Sequence, residues 1–409
     1  MSYYFILLLC LVIFISYFFD ITSRYTKVPS VFFLFIGGMI LRQTFRYTKW
    51  TMMEYDYILS VLGIMSLILI VLEGTLDLSL TKGKIRVVIS SFIMVLVPLL
   101  LFMAIFISVY TGFFKIEFRK VMINLLPLAI ISGAIAIPSA TGLKDTEREF
   151  IIYETSLSEI IGILLFDSLL HRELSIKSFL VHVPLEIVVA LIGSVIVSAF
   201  LAYLINKIDH HVKYITIITV ITLVFVVAKL IRWPSLIVVM IFGLVMNNYH
   251  IYETEKIKKI IKFEEFEKNL VQFKQITKEL SFLLRSFFFL FLGLSTPFSA
   301  LLNKKDLLLS VSACFFIYGI RWLCLKYLIR KALSPLLFYA PRGLITIVLF
   351  MNIPEAYRLP FITQGVIMQV VFLTILLMVV GNLTYNKKTI ATERAGFNFT
   401  QRDNEIGFS

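Results

Sequence analysis

Charge is scarce in this sequence: of 409 residues only 16% are Asp, Glu, Lys or Arg, and 59% are hydrophobic. Soluble domains carry about 25% charged residues, and no stretch here has the charge-rich texture that a water-facing surface needs. A string of soluble domains is therefore excluded. Cysteine is also rare. Cys10, Cys314 and Cys324 all lie in apolar blocks, and their spacing matches neither a zinc site nor a disulfide framework, so they read as packing residues. The sequence lacks a nucleotide-binding glycine loop, a catalytic triad and a metal-ligating cluster. Neither an enzyme nor a resident cofactor is expected. The first apolar block, Tyr3–Phe19, has no basic leader and no small-residue cleavage site, and it reads as a retained span.

What is present is a succession of apolar blocks separated by short polar punctuation. Crossing a bilayer takes ~20 apolar residues in a helix, and the blocks predict an all-α polytopic membrane protein with about thirteen spans. They fall near 3–19, 29–42, 56–73, 85–112, 120–140, 149–171, 179–205, 213–230, 234–247, 280–301, 306–328, 335–352 and 362–384. The formal net charge of +13 does not point to nucleic acid. Most Lys and Arg fall in the loops that would face the cytoplasm if the N-terminus were outside and the C-terminus inside, which is the positive-inside bias.

An internal repeat organises the chain. Pro29-Ser30, followed at a fixed spacing by Gly38, reappears without a gap as Pro234-Ser235 and Gly243. The two copies open spans two and nine, so they enter the membrane in opposite directions. Inverted repeats are an architecture of secondary transporters, whose sites lie near the midplane and involve interrupted helices. Two candidate interruptions sit seven spans apart. Span five carries Ser132-Gly133-Ala134-Ile135-Ala136-Ile137-Pro138-Ser139, and span twelve carries Ala340-Pro341-Arg342-Gly343. Proline removes a backbone donor and glycine relaxes the backbone, so both helices are expected to break and to cross near the midplane. The domains follow: an N-terminal half at 1–205, an inverted C-terminal half at 206–385, and a polar cytoplasmic tail at 386–409. Within the second half, 250–280 carries apolar residues every three or four positions among Lys and Glu, which predicts an amphipathic connector on the cytoplasmic surface.

Ionisable groups inside spans are costly and usually functional. Here they are Glu73, Glu154, Glu159, Asp167, Arg285, Arg321 and Arg342. Glu154 and Glu159 lie on one helix, and at 100° per residue they point ~140° apart. They cannot serve one compact site as equals. One can face a neighbouring helix, where an arginine would satisfy it, while the other faces a pathway. Thr155 lies four residues before Glu159 and offers a hydroxyl oxygen on the same face. A hard monovalent cation favours such oxygens. Arg321 sits deep in span eleven and needs a partner. Asp167 reads as a snorkelling residue, Glu73 and Asp77 as solvated, and Arg285 as an interfacial residue that says little.

Taken in order, these elements resemble the cation:proton antiporter superfamily, in particular its monovalent cation:proton antiporters of the bacterial sodium/proton exchanger type. Many members carry Glu-Ser-Leu-Phe-Asn-Asp-Gly followed by an apolar run ending in Phe. Glu154, Thr155, Ser158 and Glu159 fall on the Glu, Ser, Asn and essential Asp of that run, and Phe166 on the distal Phe. Ala136-Ile137-Pro138 looks like the family's Thr-Asp-Pro break, Phe287 to Leu294 like its Phe-rich span, Arg321 like the arginine before the penultimate break, and Arg342-Gly343 like its Arg-Gly element. The resemblance implies exchange of Na⁺ or K⁺ for H⁺ at Glu159, with Ser158 and Thr155 beside it. It also implies a structural pair of Glu154 with Arg321, broken-helix roles for Ile137, Pro138, Pro341, Arg342 and Gly343, and a homodimer in a bacterial inner membrane formed through spans one to three and eight to ten. Three departures stand out: Glu159 for aspartate, Ser158 for asparagine, and Ile137 for the aspartate of the first break. An arginine does not release its proton under these conditions, and Ile137 cannot carry one. One carboxylate is left to alternate between proton and cation, so exchange is expected to be electroneutral. The alternative is a non-transporting, channel-like or sensor paralogue on the same scaffold.

Overall fold

The structure is a computed structural model and describes residues 2–26, 28–47, 55–79, 82–171, 192–195, 197, 213–231, 235–251, 263–331 and 333–406. The regular elements among them are all helical. The principal ones are α1 (Ser2–Thr26), α2 (Ser30–Tyr47), α3 (Tyr55–Leu76), α4 (Ile85–Gly112), α5 (Phe118–Ala129), α6 (Gly133–Ser139), α7 (Asp145–His171), α8 (Lys213–Leu230), α9 (Ser235–Asn247), α10 (Phe263–Ser295), α11 (Lys304–Leu323), α12 (Leu344–Met351) and α13 (Gln364–Ile406). Among the described residues, six stretches are long and apolar enough to cross a membrane, including Ile85–Gly112, the interrupted Phe118–Ser139 and Gln364–Tyr385. The expected seventh span at 179–205 lies outside the described residues except for 192–195 and 197.

Packing divides these helices into two groups. In the first, α10 runs along α2 and α3, α9 lies between α3 and α8, and α1 covers α2. Glycine makes the central contact possible. A Cβ on Gly38 would lie 2.2 Å from the Leu290 carbonyl oxygen, and one on Gly293 would lie 2.1 Å from that of Phe35. Only hydrogen side chains let α2 and α10 touch backbone to backbone. The other repeat glycine, Gly243, packs where a Cβ would meet the Thr75 hydroxyl at 2.1 Å. Arg42 then closes the end of α10 by donating to the carbonyls of Leu294 at 2.8 Å and Ser295 at 2.7 Å, where the helix dipole favours a cation.

The second group gathers α4, α5, α6 and α7, with α11, α12 and α13. Arg119, at the start of α5, donates to the C-terminal carbonyls of α7 at Leu169 (2.9 Å) and Leu170 (3.0 Å), and to the Tyr357 hydroxyl at 2.8 Å. One buried cation thereby ties α5, α7 and the loop before α13 together at one end.

One expectation changes. The polar stretch near 250–280 is not a separate surface helix where it is described, because residues from Phe263 onward continue without a break into the apolar part of α10. Phe266, Leu270 and Phe273 are buried, and Phe273 meets the rings of Tyr214 and Phe242. The apolar face thus packs on protein, and no helix breaker separates it from the span. Beyond Tyr385 the chain stays helical, since α13 runs to Ile406 with no proline to stop it.

Candidate functional site

Both candidate interruptions are breaks. Between α5 and α6 the chain is extended at Ile130 and Ser132. The break lies after Pro127, a few residues earlier than the sequence suggests. Ile137 and Pro138, expected at the break, instead occupy the last turn of α6. The second break precedes α12, where residues 339–343 carry no helix. The two cross and are joined backbone to backbone, Ser132 N–H donating to the Pro341 carbonyl at 2.8 Å. Gly343 is glycine for lack of room. A Cβ there would meet Ser132 Oγ at 2.7 Å and Ile135 Cδ1 at 2.6 Å. Arg342 is buried and donates to the carbonyls of Leu128 at 2.6 Å and Ala340 at 2.9 Å. Its charge faces the negative end of α5 and the carbonyls freed at the second break.

Helix α7 presents its carboxylates to different partners. Glu159 is 4% exposed. Its Oε1 accepts the Gly133 amide at 2.7 Å. Ser158 Oγ, one residue back, accepts the Ile131 amide at 3.0 Å. Side chains of α7 thus take up amides that the broken helix leaves without intrahelical acceptors. Thr155 donates to the Ile151 carbonyl of its own helix at 2.8 Å. Its oxygen and Glu159 Oε1 both lie 3.3 Å from where a Cβ on Gly133 would stand. Glu159, Thr155 and Ser158 therefore share one spot on the first break. Beside it, the buried Ser132 hydroxyl has no hydrogen-bond partner among the described residues.

Glu154 points elsewhere. It is fully buried and takes a bidentate pair from Arg321, with Nη1 to Oε1 at 2.5 Å and Nη2 to Oε2 at 2.9 Å. The same guanidinium donates to the carbonyls of Leu336 and Leu337 on the turn that leads into the second break. Two charges in a low-dielectric setting are offset by geometry this complete.

Two residues that the sequence reading set aside lie close to the site. Arg285, expected near the interface, donates from Nη1 to the Ala134 carbonyl at 3.3 Å. Glu73 is within electrostatic reach of Glu159, as is Arg285. The available signal was Pro138, whose missing N–H leaves the carbonyl four residues earlier without its helical donor. Asp167 borders a small apolar pocket with Val71, Ile163 and Leu236. A separate cavity of about 530 Å³, counting its open mouth, reaches α6 and is bordered by Asp20, Ser23, Ser139, Arg285 and Asn382.

A family model described as sodium/hydrogen exchanger, transmembrane, matches residues 9–384. The chain belongs to the sodium/hydrogen exchanger family. It is an integral membrane protein of a transporter family. Solved structures share the exchanger fold across almost the whole chain. A structure of the sodium proton antiporter MjNhaP1 from Methanocaldococcus jannaschii at pH 8 has a TM-score of 0.63 and 17% identity, covering 93% of this chain and 96% of its own. An electron-microscopy map of the same antiporter has a TM-score of 0.66 and 17% identity, with coverage of 95% and 97%. No curated protein matches the chain in sequence.

Proposed function

We propose that this exchanger-family protein is a secondary active transporter that trades a monovalent cation, Na⁺ or K⁺, for H⁺ at Glu159. The observation that carries the reading is a buried carboxylate held on an amide of a broken helix, at the place where a second break crosses it. A carboxylate binds either a proton or a cation, and competition between them couples the two fluxes. Thr155 and Ser158 supply neighbouring oxygens. The Glu154–Arg321 pair anchors α7 to the turn before the second break, so both breaks move with one body. In the reading that follows, the halves 1–205 and 206–385 are inverted copies. The N-terminus is outside, the 386–409 tail is inside a bacterial inner membrane, and the cavity at Asp20 and Arg285 opens to the cytoplasm. The protein works as a homodimer through its first group of helices.

The test is proton-driven cation flux with Na⁺, K⁺ and Li⁺ in proteoliposomes. The wild type should acidify or alkalinise the lumen in response to an imposed cation gradient. Glu159→Gln, which keeps shape and loses charge, should not. Wild-type flux in a folded Glu159→Gln protein would exclude Glu159 as the exchanging group. One observation favours a second reading, a sensor or channel-like protein. Ile137 stands where the resembling family has an aspartate, and its Cδ1 lies 3.3 Å from a Cβ built on Gly133. Absence of coupled flux from the wild type would select that reading.

A further inference from the structure

Arg285 is a charged residue beside the candidate site that the exchange scheme does not use. It belongs to α10, which packs on α2 and α3, whereas Glu159 belongs to α7 in the other group. The two meet across the first turn of α6. Gly133 gives its amide to Glu159 at 2.7 Å, and the next residue, Ala134, gives its carbonyl to Arg285 at 3.3 Å. That carbonyl is available because residue 138 is proline and brings no N–H to it. Arg285 also borders the open cavity, together with Asp20 and Ser139. A cation that reached Glu159 from this cavity would therefore pass a fixed guanidinium. The charged groups facing this spot are Glu159 from α7, Glu73 from α3, Asp20 from α1 at the cavity wall, and Arg285 itself.

The geometry points to Arg285 as a positioning residue for exchange. Docked on the α6 carbonyl that Pro138 leaves open, it holds one positive charge beside Glu159 and so weakens that site for both of its competing ligands, proton and metal cation. This inference rests on exchange at Glu159. Its consequence is specific because both ligands carry the same charge. Removing that unit charge strengthens binding of each, by about tenfold for a charge roughly 12 Å away at an effective dielectric near 20. When proton and cation compete, equal strengthening leaves the apparent cation KM unchanged at acid pH, where the proton sets it. At alkaline pH, where the proton no longer competes, the KM falls. The pH at which one regime gives way to the other rises by about one unit, a tenfold change in proton affinity. Loss of a merely structural contact would not split the KM in this way.

The experiment measures apparent Na⁺ and K⁺ KM against pH in proteoliposomes for the wild type and for Arg285→Gln, Arg285→Lys, Pro138→Ala and Glu159→Gln. Arg285→Gln should show the alkaline-only fall in KM, and Arg285→Lys should behave as the wild type. Pro138→Ala restores an intrahelical donor to the Ala134 carbonyl and should shift in the same direction as Arg285→Gln, by less. It keeps the idea testable if Arg285→Gln does not fold. Unshifted KM in both Arg285→Gln and Pro138→Ala, with an active wild type and an inactive Glu159→Gln, overturns this inference alone. A lysine variant that shifts as glutamine does also overturns it. A wild type without exchange overturns the reading at Glu159 and this inference with it.

Discussion

At the scale of single residues, the spacing along α7 decides most of the chemistry. Five residues separate Glu154 from Glu159, and the ~140° between them sends one carboxylate to Arg321 and the other to the Gly133 amide. On the proposed function, stability and exchange would be served by different side chains of one helix. Breaking a buried pair by removing one partner costs on the order of 3–5 kcal/mol, because the remaining charge is stranded. Glu154→Gln and Arg321→Gln should each lower the melting temperature in detergent, and the double mutant should lose less than their sum. Arg321→Gln should be the worse single change, since it also strips donors from Leu336 and Leu337. Additive losses in that cycle would mean that the pair contributes no coupling.

At the scale of elements, glycine contact governs how closely the helices approach. Gly38 and Gly293 face each other across α2 and α10, each with a Cβ position 2.9 Å from the other's Cα. Neither helix can yield locally, because the clashing atoms are backbone. Gly38→Ala and Gly293→Ala should each destabilise the protein by about 1–3 kcal/mol, the usual cost of overpacking. They remove one contact, so combining them should add little. Unchanged thermal unfolding of both variants, followed by tryptophan fluorescence, would show that α2 and α10 separate freely. Of these two glycines the repeat marks only Gly38, through the match of Pro29-Ser30…Gly38 with Pro234-Ser235…Gly243. Gly293 is legible only once α10 is seen lying on α2, because nothing local distinguishes it from a glycine in a flexible stretch.

At the scale of the whole molecule, the inventory of proton carriers sets the charge moved per cycle. Arg321 and Arg342 are buried guanidiniums with carboxylate or carbonyl partners, and a guanidinium keeps its proton. Ile137 offers no carboxyl. Exchange through Glu159 is therefore expected to be one cation for one proton, with no net charge translocated and no response to an imposed membrane potential. Recordings on a solid-supported membrane should show no cation-dependent transport current while flux proceeds. A current that disappears in Glu159→Gln would reveal a second carrier, and the candidates are Glu73 and Asp167. The length of α10 also belongs to this scale. Its 33 residues span about 50 Å at 1.5 Å per residue, well beyond a ~30 Å hydrocarbon core. Its polar half must stand outside the membrane, and the burial of Phe266 and Phe273 makes that half part of the folded body.

The sequence by itself determined the membrane class, the order of the apolar blocks, the two helix interruptions and the divergence of Glu154 from Glu159. Each of these is local: hydropathy, proline, glycine and the 100° step act within one segment. Tertiary structure alone decided which arginine meets which carboxylate, because Glu154 and Arg321 lie 167 residues apart. It also placed the first break at 130–132, where the crossing strand supplies the Pro341 carbonyl to Ser132, and it joined the polar stretch after Phe263 to a span. Arg285 belongs in the same class. Its basic side chain looks interfacial within its own helix, and its contact is with a carbonyl on another helix, four residues before a proline that brings no N–H to it.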